Sequence, residues 1–212
     1  MEDDCSIRTR GQPKWIYNPF LVIVILASAS PRRRELLRNA GIKFETLPAH
    51  IDESPRNGEG AEEYVRRIAR EKAFAVAPAC PAGSVVLGAD TTVEINGEIL
   101  GKPENAEDAA RMLRLLSGTT HRVLTGICLV CAPARLHALE VETTAVTFRR
   151  LDEDEIRGYI ATGEPFDKAG AYGIQRLASK FVTRIEGCFF NVVGLPVSLV
   201  YSLLSSLPDG LR

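Results

Sequence analysis

Charge of one sign is what this chain conspicuously lacks: 26 Lys+Arg stand against 27 Asp+Glu, a formal net charge of −1. A protein whose main partner is nucleic acid needs a basic excess to release counterions, so that class is set aside. Cysteine is sparse as well, five in 212 residues with no framework spacing. That argues against a disulfide scaffold and for a reducing compartment, the cytoplasm. No stretch reaches the ~18 to 20 apolar residues of a membrane span. Repeats, low-complexity tracts and a G-x-x-x-x-G-K-[ST] loop are all missing, so the chain is no P-loop enzyme. The one metal-like spacing, Cys128-Leu-Val-Cys131, lies in an apolar run that reads as a strand. Side chains three apart on a strand point to opposite faces, so the two sulfurs read as separate buried hydrophobes.

What is present is an alternation of strand and helix patterns from residue 20 onward. It predicts one α/β domain over 19–212 with a mixed sheet, after an aperiodic and flexible extension over 1–18. The run Phe20 to Ala27 followed by Ala27-Ser28-Ala29 has the outline of an export signal. Its β-branched content and the Ser30-Pro31 that follows fit a buried strand entering a helix better, with Ser30 as N-cap, Pro31 in the first turn and Gly41 past the end. Further helices are expected over Gly60 to Ala77, over Ala106 to Leu116 capped by Asn105, over Asp152 to Ala161 with a D-x-x-E box, and after Pro196. Strands are expected over Ser84 to Ala89, in a hairpin from Val93 to Leu100 around Asn96-Gly97, in a long pair Arg122 to Ala132 and Leu136 to Phe148, and near Phe181 to Ile185.

Three polar features stand where apolar or oppositely charged residues would be ordinary. Arg32, Arg33 and Arg34 open a helix whose dipole prefers negative charge there; they form either a solvated basic turn or, with Ser28, Ser30 and the free N–H groups, an anion site. Lys72 sits in the apolar stripe Ala61, Val65, Ile68, Lys72, Val76, so it either snorkels or meets a buried anion. Asp90 follows a buried strand in "VVLGADTTVEI", either hydrogen-bonded structurally or serving as a metal ligand or base at the strand's C-terminal end. With Asp52 and Glu53 in "HIDES" and Lys102 in "GKP", the chain offers acids for a divalent cation and cations for a polyphosphate.

The segments "LASASPRRRELL", "HIDES", "AREKA", "LGADTTV", "GEILGKP", "LSGTTHRVLTG" and "DKAGAYGIQ" together, in order from Ile25 to Pro196, resemble the Maf family of nucleotide pyrophosphatases. The resemblance implies a two-lobed α/β fold, similar to that of inosine triphosphate pyrophosphatases, with a mixed twisted sheet flanked by helices. It implies a homodimer, and hydrolysis of a nucleoside triphosphate to monophosphate and pyrophosphate with Mg²⁺ or Mn²⁺ as cofactor. By motif, Asp90, Glu53 and Lys72 would be catalytic, Asp90 and Glu53 holding the metal. Ser28, Arg32, Arg33, Thr91, Lys102 and Gln175 would bind substrate. "AYGIQ" goes with the dTTP/UTP branch, although Arg176 stands where glycine is usual. The rival readings are a purine-directed enzyme, acting on 7-methyl-GTP or inosine/xanthosine triphosphate, and a non-catalytic nucleotide-binding regulator of cell division. The cysteines and the histidines, His121 included, are expected to be bystanders.

Overall fold

The apolar run forms its strand late and briefly, as Val24–Leu26 (β1), and the chain turns at once into Pro31–Asn39 (α1). The computed structural model describes residues 22–208; the expected 1–18 extension, and Phe20 and Leu21 of the run, lie outside them. The Ser30 hydroxyl caps α1 by accepting from the Arg33 N–H, and Gly41 takes the left-handed conformation after its end (φ 71°), both as the sequence predicts. Then come Phe44–Thr46 (β2), Ala61–Val76 (α2), Val85–Ile95 (β3) and Glu98–Leu100 (β4). The β3–β4 hairpin turns through Asn96 (φ 54°) and Gly97 (φ 83°), the two positive φ values that Asn-Gly supplies. Ala106–Leu116 (α3), Thr120–Cys131 (β5), Arg135–Phe148 (β6) and Glu153–Ala161 (α4) follow the expected pattern within a residue or two. Val182–Glu186 (β7), Phe189–Val193 (α5) and Val197–Ser205 (α6) complete it.

These strands make one mixed seven-stranded sheet in the order β2-β1-β3-β5-β6-β7, with β4 on the outer part of β3. β1 runs parallel to β2 and β3, and the remaining pairs are antiparallel. One face packs Leu26, Leu87, Ile127, Leu129 and Phe148 into the larger core, and the other packs Ile25, Val86, Cys128 and Val130 against α2. Cys128 and Cys131 fall in different cores, on opposite faces as expected.

One expectation needs correction. The strand placed over Ser84 to Ala89 does not end before Asp90: β5 pairs with β3 continuously from Val85 to Glu94, so Asp90 lies mid-strand, opposite Gly126. What does end there is the parallel pairing, since β1 reaches only Leu87 and β4 begins only at Val93. Gly88 to Thr92 therefore have a strand on the β5 side alone, and this gap in the sheet edge exposes the middle of β3 to a cleft.

Helix α2 lies unusually close to the sheet because two strand positions opposite it lack side chains. A Cβ on Gly88 would come within 2.1 Å of the Ala69 carbonyl oxygen, and one on Gly126 within 2.2 Å of that of Val65. In Gly126→Ala the helix has to lift; the expected outcome is a loss of roughly 2 to 3 kcal/mol in urea unfolding, typical of an overpacked core.

His121, expected to be structural, is packed in the core. It is buried with Nε2 2.8 Å from the Tyr172 hydroxyl, its ring edge-on to Phe148, and Nδ1 without a partner. Burial lowers its pKa from 6.5 to about 4. Between those two values the unfolded chain takes up a proton that the folded protein refuses, so stability falls as pH drops through the window and levels off below it. The difference amounts to roughly 3 kcal/mol. Urea titrations at stepped pH should show this loss in the wild type, and His121→Phe should flatten it.

Candidate active site

The gap beside β3 opens into a cleft of about 1310 Å³ lined by the β1–α1 loop, mid-β3, Gly101-Lys102 and the segment 162–176. Consecutive side chains of β3 serve its two sides, because a strand alternates. Asp90 turns toward α2 and Thr91 toward α1.

On the α2 side, Lys72 reaches in from the apolar stripe, and it does not snorkel. Its Nζ lies 2.8 Å from Asp90 Oδ1 and 2.9 Å from Glu53 Oε2. Lys72 and Asp90 are 7% and 6% exposed, so this is a buried pair, whereas the Glu53 side chain is half exposed at the cleft wall. Desolvation raises the Asp90 pKa, and the Lys72 and Arg33 cations work against that rise. A carboxylate whose charge is costly but matched by cations is the kind of group that active sites use to accept a proton.

On the α1 side, Arg33 is buried and spends its donors on the protein. Nε donates to the Gly194 carbonyl, Nη1 to Ser28 Oγ and the Ala89 carbonyl, and Nη2 to Thr91 Oγ1. Thr91 Oγ1 in turn lies 2.9 Å from Thr125 Oγ1 and donates to the Gly194 carbonyl. Arg33, Ser28 and Thr91 thus form a braced floor. Arg32 is half-buried at the rim and pairs with Asp167 at 2.8 Å, across the cleft. Lys102 is exposed on the lining, and the Gly101 carbonyl accepts from the Gly170 N–H, tying that loop to "DKAGAYGIQ". Gln175 is exposed on the same lining.

The nine residues to which the resemblance gives catalytic or substrate-binding roles all line one cleft, whereas Arg34 is not on its lining. Sequence reasoning did not single out Asp167, Lys168, Tyr64 or Tyr172, which line it too. The Lys168 Nζ bonds the Glu164 carbonyl and Asp167. Gly170 and Ala171 both have positive φ (66° and 60°), a strained turn for an alanine and a feature that clusters at functional sites. Asp52, quoted beside Glu53, accepts from the Ser54 N–H and shapes the loop instead of entering the cleft.

Among the described residues no three His, Cys, Asp or Glu side chains converge as a metal cage. Two carboxylate oxygens do converge on one point, now held by the Lys72 ammonium. Mg²⁺ is commonly bound by one or two carboxylates with water and substrate phosphate completing its shell, so this donor set fits such an ion.

The family model described as "Maf-like protein" matches residues 23–207. A curated relative from Koribacter versatilis, named dTTP/UTP pyrophosphatase, is 53% identical over 181 residues, covering 85% of this chain and 92% of its own. One of the same name from Salmonella typhimurium is 51% identical over 185 residues, covering 87% and 93%. Among solved structures, the Staphylococcus aureus Ham1 protein overlaps with a TM-score of 0.40 at 15% identity, over 59% of this chain and 71% of that one.

Lys72→Met would leave Asp90 buried without its closest cation. The expected loss is roughly 3 to 5 kcal/mol in chemical unfolding at neutral pH. The double variant Lys72→Met/Asp90→Asn should regain most of it, since the orphaned charge is then gone.

Proposed function

The chain belongs to the Maf family, and from that premise we propose that it hydrolyses dTTP and UTP to the monophosphate and pyrophosphate. The observation that carries this reading is the convergence of Asp90 and Glu53 on Lys72 beside a cation-lined cleft. An anhydride hydrolase needs a carboxylate to take the proton of the attacking water, and fixed positive charge where the phosphate oxygens lie.

In this reading water attacks the α-phosphorus, pyrophosphate leaves, and Asp90 accepts the water proton. Arg32 and Lys102 contact the phosphates from the rim, while Ser28, Thr91 and Arg33 hold the floor against them. Lys72 neutralises Asp90 and Glu53 in the resting site and remains close enough to share a phosphate oxygen. Asp90 and Glu53 would hold a divalent ion, Mg²⁺ or Mn²⁺, which supplies charge neutralisation at the phosphates. No covalent nucleophile is required, in keeping with Cys128 and Cys131, whose thiols burial pushes up. Gln175, able to donate and accept, would read the O4 and N3–H edge of the pyrimidine. A homodimer in the cytoplasm belongs to the same proposal; no helix among the described residues is long and apolar enough to cross a membrane.

The test is pyrophosphate release from dTTP, UTP, CTP, ITP, 7-methyl-GTP and ATP with Mg²⁺ or Mn²⁺. Release from dTTP and UTP is expected, falling roughly 10²- to 10⁴-fold in Asp90→Asn, with the preference for dTTP lost in Gln175→Ala. Turnover centred on 7-methyl-GTP or ITP would replace the pyrimidine reading with a purine one. Nucleotide binding without any turnover would leave a regulator.

A further inference from the structure

Glu53 faces an unusual demand. Its carboxylate has to meet the same Lys72 ammonium that Asp90 holds, yet it rides on a segment between β2 and α2 that has no helix or strand. Its side chain is half exposed, and its carboxylate contact is with Lys72. Something other than the carboxylate must place the backbone.

Two side chains on α2 do so. The Tyr64 hydroxyl donates to the Glu53 carbonyl oxygen at 2.9 Å, and Arg67 Nη2 donates to the next carbonyl, that of Ser54, at 3.1 Å. Tyr64 and Arg67 are three apart, so they share one helix face, and the guanidinium lies 5.7 Å from the tyrosine ring centroid. Arg67 is itself locked by a two-pronged bond to Glu59, Nε to Oε1 at 2.5 Å and Nη2 to Oε2 at 2.6 Å. A fork of that kind fixes direction as well as distance. The Arg67 bond keeps the Glu59 carboxyl at a pKa of about 2, so the anchor persists across the range in which such an enzyme works. The helix bearing these side chains also bears Lys72 and is seated on β3 and β5 at Gly88 and Gly126.

We infer that Tyr64 and Arg67 are positioning residues: a clamp on two successive carbonyls by which α2 sets Glu53 in register with Asp90. Neither acts on the substrate through this contact; each acts through Glu53. The inference rests on the functional reading of Glu53 given above, and its test separates the two.

Tyr64→Phe keeps the ring and removes only the hydroxyl. Pyrophosphate release should fall about three- to tenfold, the value of one hydrogen bond expressed as a rate, with the melting temperature close to wild type. Amide hydrogen exchange of residues 51–57 should quicken, and Mn²⁺ binding to the nucleotide-free protein, followed by electron paramagnetic resonance, should weaken. The deciding arm is a double-mutant cycle: in a Glu53→Gln background the Tyr64→Phe change should have no further effect on rate, because the backbone bond then positions no carboxylate. Arg67→Lys, which keeps the charge but loses the fork, should behave alike and stands in should Tyr64→Phe fold poorly. Glu53→Gln impaired while Tyr64→Phe and Arg67→Lys keep the wild-type rate and exchange overturns the clamp alone. Additive effects in the cycle overturn it as well, by showing that the clamp residues act elsewhere. Glu53→Gln at full rate overturns the functional reading of Glu53, and the clamp with it.

Discussion

The distance between α2 and the sheet is set by two absent side chains. With Gly88 and Gly126 beneath it, the helix backbone approaches the strands closely enough for Lys72 to meet Asp90 at hydrogen-bond distance. A methyl group at either position would have to open that distance, and the lysine would lose a partner that it cannot do without in a dry interior. The same seating carries Tyr64 and Arg67, so the wall of the cleft formed by Glu53 inherits its position from packing several residues away. Packing and electrostatics are therefore one problem here: the apolar stripe of α2 provides the adhesion, and the single charge within it provides the aim.

Around that pair the cleft is a set of charges already matched to one another. Lys72 is shared by Asp90 and Glu53, Arg32 faces Asp167, and Lys168 faces Asp167 as well. Such an arrangement keeps the resting protein free of a concentrated positive field, in agreement with a chain whose total charge is near zero. In the proposed reaction a polyanion entering the cleft would exchange partners with these acids, not simply fill a vacant basic pocket. The exposed pair Arg32–Asp167 is weak by nature, as surface ion pairs are, and so costs little to exchange. The buried pair Lys72–Asp90 is the part that holds its geometry.

Much of this was legible in the sequence wherever a local rule applied. Ser30-Pro31 and Asp152 with Glu155 marked helix starts because capping is a matter of residues three apart. Asn96-Gly97 marked a hairpin because few other pairs tolerate two positive φ values. Lys72 was conspicuous as a cation within an apolar stripe, and Asp90 as an acid after a run of buried residues. What local rules could not give was the continuity of β3 through Asp90, which depends on a partner strand more than thirty residues on. Nor could they give Asp167, whose partner Arg32 is 135 residues away. Phe44–Thr46 and Phe189–Val193 are too short to show a period at all. The clamp on Glu53 escaped for a different reason: it uses carbonyl oxygens, which every residue has, so no pattern of residue types announces it.

The gap in the sheet edge at Gly88 to Thr92 has a consequence for solubility. A strand lacking a neighbour offers its backbone to any other extended chain, and edges of this kind are where proteins begin to aggregate. Here the opening is five residues long, closed at one end by β1 and at the other by β4, and the Ala89 carbonyl within it is taken by the Arg33 guanidinium. The arginine that braces the floor of the cleft is thereby also a guard on the strand. With that carbonyl taken and most of the gap buried, the edge could serve the proposed small-molecule site without offering Ala89 to another polypeptide.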